Sequence, residues 1–535
     1  MKKFNTTAVC ISSKHYMVNI TERVKEIKKL VDDGKYLTIN RARQYGKTTT
    51  IGVLEAVLSE DYYVVSMDFQ DYGEDTFRDA DSFCRDFAAD FCELLRKKID
   101  RDNIDLNKAV QRLISLSETS SKRQRLFTMF KGIKQIWDCS DKPIVLIIDE
   151  VDSATNNQLF IDFLAALRSH YLKREKNEQY STFQSVILAG VTDVKHLKSK
   201  IRPEEAQKVN SPWNIAADFD VDMSLSETGI KGMLDEYEAD HYTGMDTGII
   251  AKAIRDYTEG YPYLVSRICQ LIDEKMIPEV FETASEAWTL YGVDEAVKRI
   301  LQEDNTFFDS VMGKLINMPE LKVQLRNILM KGETVAYLPD DEEQRLLRMF
   351  GFIVNKHNTV AISNRIFEMR LYNYFIGESR KNEELKQLAA ANKSVFVKEN
   401  GELDLCKIMS HFIDEHNRIH AGEDQKFLEQ EGRERFLTYL SPIINGTGTY
   451  SIEEQTRDHK RMDVVIHYMG KRYIIELKIW RGAKYNEDGE KQVLDYLDFF
   501  SLSTGYMLSF SFNKNKETGV REVRFGDKLL YEGVV

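Results

Sequence analysis

At 535 residues the chain is too long for a single core, and two to four domains are expected. With 42% hydrophobic and 30% charged residues it has the composition of a soluble globular protein, and a net charge of −12 excludes one that coats nucleic acid indiscriminately. Six scattered cysteines without a CxxC pair suggest neither a disulfide framework nor a zinc site. The absence of a long apolar run, or of an apolar stretch behind MKKFNTTAVCISS, argues against a membrane span and export, so a cytoplasmic protein is expected.

The first element, Thr21 to Asp33, places Val24, Ile27, Leu30 and Val31 on one helical face, and Gly34 supplies a stop. A strand from Tyr36 to Asn40 then runs into Arg41-Ala42-Arg43-Gln44-Tyr45-Gly46-Lys47-Thr48-Thr49, followed by a helix pattern to Leu58. Strand, Gly-Lys-Thr loop and helix are the context of a phosphate cradle. Backbone N–H groups would hold the phosphates, Lys47 would reach the β/γ oxygens, and the Thr48 hydroxyl would hold Mg²⁺. Arg41 stands where the full motif has its first glycine, so a Gly-Lys-Thr on an ordinary loop is the alternative.

Tyr62 to Phe69 reads as a second strand, and Phe83, Phe87, Phe91 and Leu95 form an aromatic stripe that reads as core. Ile144 to Asp152, IVLIIDEVD, is a continuous apolar run, the pattern of a strand buried on both faces of a parallel sheet. Asp149 at its end could hold Mg²⁺ and Glu150 could orient or deprotonate the attacking water; helix capping is the plainer alternative. Val186 to Val191 is a further buried strand ending at Thr192 and Asp193, placed either to sense a γ-phosphate or to make a turn.

The strings RQYGKTTT, IIDEVD, AGVTD and GYPYLV resemble the AAA-like ATPases related to the STAND and archaeal ATPase groups, over roughly residues 15 to 375. In that group the first loop glycine is commonly absent and an arginine-glutamine pair precedes the Gly-Lys, as Arg43 and Gln44 do here. A strand between the phosphate loop and the acidic strand, with Glu150 after Asp149, suggests the additional-strand branch of P-loop NTPases. The resemblance implies ATP as ligand and a lid helix opening at Pro262. It also implies a winged helix over Asp304 to Tyr374, where Gly351 to Val354 and Val360 to Ile362 read as a hairpin. Proline as ordinary first-turn punctuation is the alternative at Pro262.

Ser379 to Glu399 is charged and helix-prone, the composition of a linker. Beyond it, Arg461 to Ile466 and Tyr473 to Lys478 read as two strands joined by a turn at Met469 to Lys471. Residues two apart on a strand share a face, so Glu476 and Lys478 emerge side by side and Asp463 on the neighbouring strand can meet them. Two carboxylates with a lysine are the parts of a metal-dependent phosphodiester hydrolase.

With Gln492 and Tyr496 one helical turn apart, this set resembles the PD-(D/E)xK nuclease superfamily and its RecB-like branch, over about residues 400 to 515. The resemblance implies a further acid from the helix carrying Glu431 and Glu434, with Glu434 favoured. Arg457, His459, Lys460, Arg461, Lys471, Arg472, Arg481 and Lys484 make a local basic patch, with Trp480 and Tyr485 able to stack on bases. A solvated charged hairpin is the bland alternative. Oxygen donors imply Mg²⁺ or Mn²⁺ in place of zinc.

The expected protein is a multidomain α/β chain: a P-loop domain over 1–225, lid and winged helix over 226–378, a linker over 379–400 and a nuclease-like domain over 401–535. Its expected partners are nucleotide and nucleic acid, DNA favoured over RNA, with no membrane and with self-association open. The competing reading is a nucleotide switch that binds DNA or a protein partner, its C-terminal fold kept for binding. Arg202 is the first arginine to test as a finger.

Overall fold

The computed structural model describes residues 2–118, 125–192, 194, 212–217, 219–331, 335–378, 387, 389–419, 429–444, 448–455, 461–479, 483–511 and 517–535. The chain divides into two compact units, Met1–Leu225 with Arg348–Gly351, and Ser226–Leu347 with Phe352–Val535. Helices of eight or more residues are numbered below.

The first unit opens with α1 (Thr21–Asp32), and Gly34, at φ 69, returns its amide to Val31 before β1 (Leu37–Asn40). Then follow α2 (Lys47–Leu58), β2 (Tyr63–Asp68), α3 (Ala80–Arg96), α4 (Ile104–Glu118), α5 (Leu126–Cys139), β3 (Ile144–Asp149), α6 (Gln158–Lys176) and β4 (Ser185–Gly190). The strands form one parallel sheet in the order β1-β4-β3-β2. The continuous apolar run of β3 has its physical reason here. Val145 and Ile147 pack with Leu37, Ile39 and Leu54 on one face, while Leu146 and Ile148 pack with Phe83, Phe87 and Phe163 on the other. The strand lying between the loop-bearing β1 and the acidic β3 is β4; β2, the strand between them in sequence, lies at the sheet edge.

The second unit begins with α7 (Glu227–His241), α8 (Thr247–Thr258), α9 (Pro262–Leu271) and α10 (Leu290–Gln302), with proline in the first turn of α9. Next come α11 (Thr306–Asn317), α12 (Pro319–Lys331) and α13 (Glu342–Met349), then the hairpin of β5 (Ile353–Lys356) and β6 (Thr359–Ile362), and α14 (Arg365–Glu378). Residues 379–386 of the expected linker lie outside the described residues.

The rest of this unit is α15 (Leu405–Ile419), α16 (Glu429–Ile444), β7 (Gly448–Gln455), β8 (Arg461–Tyr468), β9 (Lys471–Ile479), α17 (Ala483–Phe499), β10 (Thr504–Phe510), β11 (Gly519–Phe525) and β12 (Lys528–Val534). Its six strands form one sheet ordered β11-β12-β10-β9-β8-β7, antiparallel through β7-β8-β9 and parallel between β9, β10 and β12. The β8–β9 turn consists of Met469 and Gly470, both with positive φ (50 and 73), the left-handed pair that a two-residue hairpin of the right twist requires.

Candidate functional site

β1 delivers its loop to the N-terminus of α2. Gln44 and Gly46 are left-handed, at φ 58 and 78, and Gly46, the N-cap of α2, brings no side chain to its first amides. Those N–H groups and the positive helix end form an anion receptor. Lys47 is buried, its ammonium donating to the carbonyls of Arg41 and Ala42, both at 3.2 Å. Burial pulls its pKa down, and the nearby Glu150, Asp152 and Asp149 carboxylates counter that shift. Arg41 has its own task in place of the absent glycine. Its guanidinium donates to the carbonyls of Asn40 and Val221, each at 2.8 Å, and lies 5.2 Å from the Phe219 ring centroid. Tyr45 packs against the core around α1 and α2, and the Thr49 hydroxyl accepts from the Cys10 amide at 3.1 Å. Arg43 and Thr48 are exposed.

The acidic pair sits at the carboxyl end of β3. Asp149 is buried; it accepts from the Glu150 amide at 2.9 Å, and the Thr48 hydroxyl lies close enough to help hold its pKa down. Burial raises the pKa of Asp149 and both groups oppose the rise. Glu150 is held left-handed at φ 51, and burial pushes its pKa up too, against the pull of Lys47. A non-glycine residue in this conformation is a local strain that the surrounding structure has to hold.

Sequence reasoning missed Asp152. Its two carboxylate oxygens accept the amides of Val191 and Thr192 at 2.7 and 2.6 Å, clamping the end of β4 beside the acidic pair. Gly190 leaves room for this, since a Cβ there would stand 2.9 Å from Val151 and 3.0 Å from Asp152. Asp193 and Arg202 lie outside the described residues.

In the C-terminal sheet, Glu476 is fully buried and Lys478 places its ammonium 2.7 Å from the Glu476 carboxylate. β8 and β9 pair from Tyr468–Lys471 to Val464–Ile475, and Asp463 and Glu476 are the residues next along each strand from that last pair. Asp463 has its backbone in β8; its side chain lies outside the described residues. Gln492 donates to the Tyr496 hydroxyl at 2.6 Å on α17, which packs through Val493, Tyr496 and Leu497 on Val465 and Ile474. Among the described residues, no group of three or more His, Cys, Asp or Glu gathers to hold a metal.

Glu434 differs from expectation. Its carboxylate pairs with Arg326 at 3.1 Å. Helix α16 meets the sheet through Gly432 against Phe510, on the face opposite to Glu476 and Lys478, because Phe510 pairs with Ile479 while Ser509 pairs with Lys478. Of the expected basic patch, Lys471 pairs with Glu402 and Arg472 stacks over Phe500. Arg457, His459, Lys460, Trp480 and Arg481 lie outside the described residues, as do the side chains of Arg461, Lys484 and Tyr485.

A parallel sheet with a Gly-Lys-Thr loop on one strand, an Asp-Glu pair at the end of another, and a strand inserted between them defines a P-loop ATPase fold, which binds nucleotide. The chain belongs to the AAA-like domain family, whose model matches residues 4–375. No curated protein matches it. Among solved structures it is similar to a Walker-type ATPase of Pyrococcus abyssi, at 13% identity and a TM-score of 0.44, covering 69% of this chain and 99% of that one. It is also similar to Cdc6p from Pyrobaculum aerophilum, at 11% identity and a TM-score of 0.32, covering 70% and 98%. A third is the ORC1 protein of Aeropyrum pernix, solved in complex with DNA, at 10% identity and a TM-score of 0.29, covering 67% and 93%. No helix among the described residues is long and apolar enough to cross a membrane.

Proposed function

We propose that the chain hydrolyses ATP in residues 1–225 and uses its nucleotide state, through the lid and winged helix of 226–378, to control a Mg²⁺-dependent DNA phosphodiesterase in 401–535. Residues 379–400 link the two. A cytoplasmic role against foreign or mobile DNA is the corresponding biology.

In the first site, Thr48 and Asp149 are neighbouring hard oxygen donors, which fits Mg²⁺. When bound, that ion neutralises charge on the β- and γ-phosphates. The α2 amides and Lys47 hold those phosphates, Arg43, Gln44, Tyr45 and Thr49 shape the loop around them, and Glu150 takes the proton of the attacking water.

The observation that carries the nuclease reading is the buried Glu476 carboxylate, ion-paired with the cation two residues along the same strand. A fully buried carboxylate is costly unless a cation compensates it, so this is a place built for positive charge. Helix, three antiparallel strands, helix and a parallel strand, with Gln492 bonded to Tyr496, support the same reading. Asp463 and Glu476 would hold Mg²⁺ or Mn²⁺, which supplies a Lewis acid and an activated water. Lys478 stabilises the developing phosphorane charge and Gln492 orients the substrate end of the site. The test is degradation of plasmid DNA with Mg²⁺ and ATP by the parent chain and by Lys478→Ala. The proposal requires loss in the variant; equal degradation by both removes it.

One observation favours a second reading, a STAND-like switch that binds DNA or a protein partner with an inactive nuclease fold. Glu434, the expected third acid, is engaged by Arg326. That reading predicts ATP binding without nicking by either protein.

A further inference from the structure

Ser509 lies in β10, which pairs in parallel with β9 so that Met507 aligns with Glu476 and Ser509 with Lys478. Partners in adjacent strands are about 4.8 Å apart and share a face. Ser509 is 2% exposed, and its hydroxyl has no hydrogen-bond partner among the described residues. Burying a hydroxyl unpaired is unfavourable, so the position calls for a reason. The neighbouring lysine stem is packed under α17: a Cβ on Gly489 would stand 3.0 Å from Met507 and 3.6 Å from both Cγ and Cε of Lys478. The stem is thus held against α17.

We infer that Ser509 is a positioning residue, the second acceptor for the Lys478 ammonium when Glu476 binds a divalent cation. This rests on the nuclease reading of the same face. As observed, Lys478 neutralises Glu476 at 2.7 Å. A divalent ion on that carboxylate repels an ammonium beside it, and an ammonium has three donors to satisfy and no acceptor of its own. The Ser509 oxygen, buried on the next strand in register, offers lone pairs where the displaced head can go. Lys478 is thereby kept at the site, oriented toward the phosphate, and is not lost to solvent.

The experiment is calorimetric titration of the full chain with Mn²⁺, using the parent, Ser509→Ala, Ser509→Thr and Glu476→Gln, alone and combined. Ser509→Ala is expected to bind Mn²⁺ about fivefold to tenfold more weakly, Ser509→Thr to restore binding, and Ser509→Ala to have no effect in the Glu476→Gln background. Its melting temperature should not fall, since only an unpaired hydroxyl is removed. In plasmid cleavage Ser509→Ala should lower kcat with little change in KM. Equal affinity of parent and Ser509→Ala at the Mn²⁺ site that Glu476→Gln removes overturns the inference, as does a Glu476→Gln chain that loses no Mn²⁺ site. A parent that fails to nick DNA yet binds Mn²⁺ in a Ser509-dependent way overturns the nuclease reading and leaves this inference standing.

Discussion

Replacing Asp152 with alanine removes the two carboxylate acceptors that hold the amides of Val191 and Thr192 at the end of β4. A hydrogen bond to a charged group contributes about 1.5–3 kcal/mol. Asp152 is only part-buried, so the lower end applies to each, about 3 kcal/mol for the pair. With each 1.4 kcal/mol worth about tenfold, the local opening equilibrium should rise by about a hundredfold. Hydrogen exchange followed on the peptide spanning 185–192 reads this directly, because local opening governs the rate. Asp152→Asn, which keeps one acceptor oxygen, should give about tenfold. Gly190→Ala, which crowds the same carboxylate, should move exchange in the same direction. Exchange unchanged in Asp152→Ala would show that the clamp does not order the end of β4.

Glu150→Gln should retain ATP binding and lose about a hundredfold or more in single-turnover hydrolysis, the scale of a general base. Burial raises the pKa of Glu150, and only the ionised carboxylate can take a proton, so parent hydrolysis should climb with pH through a limb above the usual glutamate range. A limb at or below that range contradicts the assignment. Its stability contribution has the opposite sense: present while Glu150 is protonated and lost as pH rises through the raised value, readable in melts of Glu150→Gln against the parent. Arg365 stacks over Tyr257 of α8 at 4.6 Å and donates to His467 Nε2 of β8 at 2.9 Å, joining α8 to the strand of Asp463. Arg365→Ala should abolish the ATP response of plasmid cleavage while sparing ATP hydrolysis, and Arg365→Lys should not rescue it, lacking the planar fork. An unaltered ratio of cleavage with ATP to that with ADP would break this link.

Local chemistry is what the sequence makes legible. The loop from Arg43 to Thr49 and the apolar run of β3 advertise themselves because each carries its own cause, a helix terminus or a strand buried on both faces. The hairpin turn at Met469 and Gly470 was equally readable. Asp152 was not, since its value lies in meeting β4 about forty residues on, a contact made only by the sheet order. The strand Thr504–Phe510 went unseen for the same reason: its pairing with β9 is nonlocal, and only that register brings Ser509 to Lys478. Glu434 reads as a helix acid near a metal until Arg326, far away in the chain, is found against it.

The most direct test of the central claim is the rate at which the full chain nicks supercoiled plasmid in Mg²⁺, with ATP and with ADP, for the parent, Glu476→Gln and Lys47→Ala. The account predicts cleavage by the parent that changes about tenfold or more between the two nucleotides, a Lys47→Ala protein that does not respond to nucleotide, and no cleavage by Glu476→Gln. Nicking by Glu476→Gln at the parental rate would contradict it.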